Sequence, residues 1–146
     1  VKSAQEMHEK GILFSQGAKA ELAVLEQAME EIISVAIDAF EENHVAMAQR
    51  VEPLDQVISK LIAELKKRHT VRLRDGVCTL ELGFILSDLL VNFKRVSDHA
   101  SNIAVSIIQI NEGSFDTHEY LRELKASDNP EYQAAYREYR SKYALN

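Results

Sequence analysis

Three long stretches of the chain repeat apolar residues at the spacing of an amphipathic helix. Their apolar positions recur every three or four residues, over residues 18–42, 44–69 and from about 73 or 76 to 110. The predicted seams are Leu22, Leu25, Met29, Ile32, Ala36 and Phe40; Met47, Val51, Leu54, Ile58, Leu61 and Leu65; and Leu82, Leu86, Leu89, Phe93, Val96, Ala100, Ile103, Ile107 and Ile110. Seams of this kind are typical of helices that pack side by side.

Short breaks at residues 42–43 and 70–75 separate these helices, and short connections make sequential helices antiparallel. We therefore expect an all-α fold with an up-down three-helix bundle over residues 18–111. Residues 1–17 would form a lead-in helix and linker. Residues 112–146 would form a helical extension packed on the bundle, with a short element at 116–125 and a helix from Pro130 to about residue 143. Pro53 predicts a bend near residues 49–53.

Composition narrows the class of protein. The 146 residues carry a net charge of −6, which argues against general nucleic-acid binding. The single cysteine, Cys78, excludes an internal disulfide and a cysteine-based zinc cage. No apolar run reaches the ~18 residues of a membrane span. Because the chain begins with Val1 rather than Met, we interpret it as a piece of a longer protein.

The sequence contains few candidate catalytic residues, and we expect that the protein is not an enzyme. Glu41-Glu-Asn-His44 has the ExxH spacing of di-iron bundles, but that chemistry needs a second such motif and two further glutamates. The alternative is a helix end at His44. Cys78 is predicted to be a buried apolar thiol rather than a nucleophile.

Three charged or aromatic surfaces each have two interpretations. The first helix carries seven acids and no Lys or Arg between Ala20 and Glu42, which indicates a solvated face or a docking surface in which Glu26 and Glu30 lie one turn apart. The basic residues at 66–68, 72 and 74 complement a helix C-terminus or bind an anion. A tyrosine stripe covers the bundle or meets a partner; it consists of Tyr132, Tyr136, Tyr139 and Tyr143.

Polar residues recur along one side of the third helix, and the Asp, Asn and His residues among them are poor helix formers. These polar residues predict a polar site or a hydrogen-bond network between helices. They are Asp88, Asn92, Arg95, Asp98, His99 and Asn102.

The run Lys94-Arg-Val-Ser-Asp98-His-Ala-Ser-Asn102-Ile resembles the PhoU signature, Glu-Arg-Ile-x-Asp-His-x-x-Asn-Ile, on the third helix of a three-helix bundle. Further segments resemble the PhoU-like domain at the C-terminus of bacterial Na⁺/phosphate cotransporters, and the likeness covers residues 21–143. These segments are His69-Thr-Val-Arg72-Leu73, Gly76, Cys78, the run 83–90, His118-Glu-Tyr-Leu and the run 138–143.

The resemblance implies a regulatory domain of a sodium-dependent phosphate transporter on the cytoplasmic face of the plasma membrane. Its partner would be the transmembrane portion of its own chain. A free-standing PhoU-like adaptor, acting by contact on a phosphate importer or sensor kinase, is the alternative. A homodimer through a seam or the tyrosine stripe is also open.

The resemblance also implies carboxylate-lined iron or zinc sites, and it places Glu52, Asp55 and Asp98 at the family's ligand positions. Lys94 stands where the family has Glu, and it lies four residues before Asp98, at the spacing of a side-chain pair. We hypothesise that Lys94 stands in for the metal and leaves the site metal-free or weakly binding. For His99 and Asn102 we expect hydrogen-bonding roles.

Overall fold

A computed structural model describes residues 13–113 and 129–146, together with Gln5. It contains four helices in these ranges: α1 (Gln16–Glu41), α2 (Val45–Arg74), α3 (Leu80–Glu112) and α4 (Pro130–Lys142). The prediction of an all-α fold with three long helices is confirmed, since the described residues form no strand. Most of the predicted lead-in helix and the whole element at 116–125 lie outside the described residues. No described helix is long and apolar enough to cross a membrane.

Side-chain caps set where the helices begin. Ser15 Oγ accepts a hydrogen bond from the backbone N–H of Ala18 at 3.2 Å, and Thr79 Oγ1 accepts one from Leu82 at 3.3 Å. Asn129 lies directly ahead of Pro130, and its Oδ1 accepts hydrogen bonds from the backbone N–H groups of Glu131 and Tyr132. The helix begins at Pro130, as the sequence predicts. Each cap satisfies a backbone donor that has no partner within the helix.

The predicted connection at residues 70–75 is wrong, because α2 continues to Arg74. Arg72, in its last turn, forms an ion pair with Glu21 of α1, and this contact holds the final turn against the bundle. Gly76 then turns the chain with a φ of 71°, and Thr79 caps α3. Pro53 lies inside α2 without ending it, and the predicted bend stays a prediction.

The three long helices enclose one apolar core, and α2 contacts each of the other helices. The largest fully buried aliphatic side chains of this core are Leu25, Ile32, Leu54, Ile58, Leu65, Leu90 and Ile108. Glu21, near the start of α1, contacts Arg68 and Arg72 near the end of α2. Asn43, after α1, exchanges hydrogen bonds with Asn111, near the end of α3.

Helix α4 lies along the outer side of α2 and reaches α1 at its end. Tyr139 is 1% exposed, and its hydroxyl accepts a hydrogen bond from Arg50 of α2. Lys142 forms an ion pair with Glu31 of α1. The groove between α2 and α3 is polar, whereas the side formed by α1 and α3 exposes apolar residues.

Four residues that the seams assign to the core are exposed on the α1–α3 side: Phe40 at 69%, Val96 at 40%, Ile103 at 43% and Ile110 at 76%. The reason is geometric. A straight helix has 3.6 residues per turn, so positions seven apart drift by ~20° per heptad. Val96, Ile103 and Ile110 are successive steps of seven and move progressively off the core face.

Candidate functional site: an acidic groove between α2 and α3

Two buried carboxylates of α2 face α3. Glu52 and Asp55 are three residues apart, so they share one face of the helix. Only 6% of Glu52 and 8% of Asp55 is exposed to solvent. Carboxylates this buried are stable only with hydrogen-bond or charge partners.

Two serines of α3 supply hydrogen bonds to these carboxylates. Ser97 Oγ donates to Asp55, and Ser101 Oγ donates to Glu52 Oε2 at 2.6 Å. The serines are four residues apart and both buried, which places them on the side of α3 that faces α2. The pairing therefore repeats along the interface, one hydroxyl to one carboxylate.

Lys94 of α3 adds a charge between the helices. Its ammonium nitrogen lies 3.1 and 3.3 Å from the two carboxylate oxygens of Asp55, and it also donates to Asp98 one turn along α3. Burial alone lowers the pKa of Lys94, but the hydrogen bond to Asp98 and the charge of Asp55 outweigh it and raise the pKa above its usual value. Lys94 therefore stays charged and joins α2 to α3.

These groups line a cavity of about 460 Å³ that is open to solvent, which we call the acidic groove; its lining is Glu52, Asp55, Gln56, Ser59, Lys94, Asp98, Ser101 and Asn102. Three carboxylates and one ammonium give it a formal charge of −2 when all four groups are ionised. The groove is thus an acidic recess with a cation already inside it.

A divalent metal does not fit the groove as this chain builds it. Of the three carboxylates that the resemblance marks as ligands, Asp55 and Asp98 meet at Lys94, whereas Glu52 bonds to Ser101. A metal on Asp55 and Asp98 would lie against the ammonium, and like charges repel strongly where water is partly excluded. Among the described residues no three His, Cys, Asp or Glu side chains converge as a metal site. The stand-in role of Lys94 stays a hypothesis.

The remaining polar candidates of α3 lie outside the groove or at its edge. Asp88, Arg95 and His99 are exposed. Asn102 is exposed too and lines the acidic groove, and its backbone carbonyl accepts a hydrogen bond from Ser106. The network between the helices instead uses Ser97 and Ser101. Sequence reasoning missed these serines, although they are four residues apart and each directly follows a residue of the α3 seam.

A second polar cluster joins the end of α2 to the start of α1. Arg68 and Arg72 both pair with Glu21, and Arg68 also donates to the backbone carbonyl of Asn146. Burial tends to raise the pKa of Glu21, but the hydrogen bonds and charges of the two arginines lower it overall. Arg68 and Arg72 therefore form ion pairs within the bundle, and the sequence did not identify Glu21 as their partner.

Cys78 and His69 form a third cluster at the same end of the bundle. Cys78 Sγ lies 3.5 Å from His69 Nδ1. Burial raises the pKa of Cys78 and, with the charge of Arg72, lowers the pKa of His69. A Cβ on Gly83 would lie 2.9 Å from His69 Nε2, so any larger residue at this position would force the imidazole to shift.

The tyrosine stripe lies between α4 and the bundle. Tyr132, Tyr139 and Tyr143 are buried, and Tyr136 is partly buried. Of the two interpretations of this stripe, the structure favours the one in which it covers the bundle, because three of the four rings are buried and the Tyr132 hydroxyl donates to Gln56 at 2.7 Å.

Two other sequence candidates are resolved by position. Glu26 and Glu30 of α1 are exposed and remain available to a partner. His44 caps α2, because its Nδ1 accepts a hydrogen bond from the backbone N–H of Met47 at 3.3 Å.

Comparison with known proteins gives the family. The chain is 28% identical over 96 residues to the phosphate-specific transport system accessory protein PhoU homolog 1 of Thermotoga maritima, covering 66% of this chain and 41% of that protein. The chain thus spans less than half the length of this curated relative. No solved structure matches it significantly. The PhoU domain family matches residues 22–107, which include α2, the acidic groove and most of α1 and α3. The chain therefore belongs to the PhoU domain family.

Proposed function

We propose that this chain is a regulatory domain that controls phosphate transport through protein contact and has no catalytic activity of its own. The observation that carries the proposal is the family match over residues 22–107, which spans the whole acidic groove. The relative's name, an accessory protein of a phosphate transport system, supports the same assignment.

The chemistry of the described residues supports a non-catalytic role. Cys78 and His69 are close together, but the raised pKa of the thiol and the lowered pKa of the imidazole favour two neutral groups. A nucleophilic pair needs the opposite, a thiolate beside an imidazolium. Lys94 pairs with both Asp55 and Asp98 and so holds two helices together.

Within this role we favour the cytosolic domain of a Na⁺/phosphate cotransporter at the plasma membrane, built as an up-down bundle. The support is the segment from His69 to Gly83, which resembles that subgroup. His69, Cys78 and Gly83 meet at one end of the bundle. The contacts of Glu21 with Arg68 and Arg72 suit antiparallel neighbours. The alternative is a free-standing adaptor, which the accessory role in the relative's name favours.

Uptake of radiolabelled phosphate tests the proposal. The assay compares wild-type cells with cells in which the segment coding for residues 18–111 has been deleted from the gene for this protein. We expect uptake to lose its normal decrease when phosphate is plentiful, and re-expression of the full gene to restore it. A change confined to sodium-dependent uptake supports the cotransporter. A change in sodium-independent uptake supports the adaptor. Unchanged uptake in both assays contradicts a role in phosphate transport.

A further inference from the structure

The side of the bundle formed by α1 and α3 is an apolar groove that no described helix covers. Helical periodicity places six exposed apolar residues on this side, and they are Ile33, Ile37, Phe40, Val96, Ile103 and Ile110. Two adjoining cavities of about 250 and 480 Å³ lie along it, and both are lined by Phe40 and Ile103. Single exposed apolar residues are ordinary, but a contiguous apolar patch marks an interaction surface.

The shape of this groove suits a helix. The exposed residues of α1 recur at steps of four and three, and those of α3 at steps of seven, so both rows run along the helix axes. The molecule already contains a helix bound in this manner, because α4 lies along α2 through its tyrosine stripe. A helix on the α1–α3 groove would bury the seam residues Phe40, Val96, Ile103 and Ile110.

The charge at the edge of the groove indicates what kind of helix fits. Glu26 and Glu30 continue the row of Ile33 and Ile37 toward the start of α1, and Glu41 lines the smaller cavity. All three glutamates are exposed, and α1 carries no Lys or Arg between Ala20 and Glu42. Lysine or arginine on the edge of a partner helix would meet these carboxylates at short range.

Charge also disfavours a second copy of the chain. In a two-fold interface centred on α1, each copy would set Glu26, Glu30 and Glu41 against the same residues of the other. The net charge of −6 adds repulsion at longer range.

We propose that the α1–α3 groove binds an amphipathic helix of another protein, with an apolar stripe on Phe40 and Ile103 and a basic edge on Glu26, Glu30 and Glu41. The inference rests on the proposed function in one respect, that the chain acts by protein contact. It adds the surface and the chemistry of the partner.

Fluorescence anisotropy with the whole 146-residue chain tests this surface. The probe is a labelled 18-residue amphipathic peptide with leucines on one face and lysines on one edge, compared with the same peptide carrying glutamates for the lysines. We expect the lysine peptide to bind at least tenfold more tightly. Its binding should weaken with salt because the contact is partly electrostatic.

Two matched pairs of variants locate the site. Phe40→Ser should weaken binding about tenfold, whereas Phe84→Ser, which alters a phenylalanine of similar exposure outside the groove, should change it less than twofold. Glu30→Lys should weaken binding about threefold and reduce its salt dependence, whereas Glu131→Lys on α4 should not. Circular dichroism confirms that each variant is folded.

Three outcomes overturn the proposal. The wild-type chain fails to bind the lysine peptide, the two peptides bind equally, or Phe84→Ser costs as much as Phe40→Ser. A fourth outcome would assign the groove to a second copy of the chain instead. In that case light scattering gives twice the mass of one chain for the wild type and for Phe84→Ser, and the mass of one chain for Phe40→Ser. Because the assay uses purified protein, its result is independent of the uptake experiment, and either proposal can fail alone.

Discussion

Replacement of Lys94 by methionine measures how much its ammonium contributes to stability. Methionine matches the apolar stem of lysine but lacks the ammonium group, so Asp55 and Asp98 lose a shared partner. The Asp55 side chain is 12% exposed and that of Asp98 is 52% exposed, while Lys94 itself is 34% exposed. The three groups therefore lie between a fully buried and a fully solvated ion pair.

The expected loss follows from these exposures. Breaking a buried pair costs ~3–5 kcal/mol, whereas an exposed pair contributes ~0.2–1 kcal/mol. With water screening one side of Lys94, we expect Lys94→Met to lower the free energy of unfolding by about 2 kcal/mol. For a chain of this length that corresponds to a melting temperature lower by roughly 4–8 °C.

Urea unfolding followed by circular dichroism at neutral pH is the assay, and the slope with denaturant should not change. Lys67→Met is the matched control, because Lys67 is 76% exposed and its ammonium lies as far as 3.9 Å from Glu64, so that pair is weak. The control should lose less than ~0.5 kcal/mol. If Lys94→Met is as stable as the wild type, or the control loses as much, the bridge between α2 and α3 contributes nothing and our reading of the groove is wrong.

Three other predictions test the remaining features. Lys94→Glu should create metal affinity, seen as a melting temperature about 5–10 °C higher with Zn²⁺ or Fe²⁺ at a hundredfold excess over Kd; a variant that binds no more metal than wild type ends the stand-in hypothesis. The pKa of Glu21 is lowered in the folded state, so its charge contributes stability above its ordinary value of 4.5, and this contribution disappears as pH falls through the folded pKa. The difference in stability between wild type and Glu21→Gln should therefore shrink in acid, and a constant difference from neutral pH to pH ~2 contradicts this account. Tyr139→Ala should cost about 3–5 kcal/mol in urea unfolding and Tyr139→Phe about 1 kcal/mol, because only the first leaves a cavity; equal losses contradict the packing role.

The loop between α2 and α3 shows where local signals were insufficient. Thr79 is a good N-cap and Gly76 a good helix terminator, yet the sequence analysis started the third helix at residue 73 or 76 and placed the connection before it, at residues 70–75. The extra turn of α2 is held by the pairing of Arg72 with Glu21, about fifty residues earlier in the chain. No local pattern contains that contact.

In the acidic groove, too, the sequence predicted some contacts and left others to the tertiary structure. Lys94 and Asp98 are four residues apart on one helix, and their pairing was predicted. The contacts with Asp55, and the bonds of Ser97 and Ser101, join residues about forty to fifty positions apart. Such contacts depend on how far α2 and α3 slide and rotate against each other, which helical periodicity does not specify.

The sequence by itself determined that the chain is helical, where most of the helices begin and end, and that the Lys94 region is a polar site, because caps, periodicity and i, i+4 spacing act within a few residues. Only the tertiary structure decided which seam residues enter the core, that the tyrosines belong to the bundle, and that Phe40 and Ile110 stay exposed. The physical reason is that a helix presents several neighbouring faces, and each becomes core, polar groove or open surface only when the other helices pack against it.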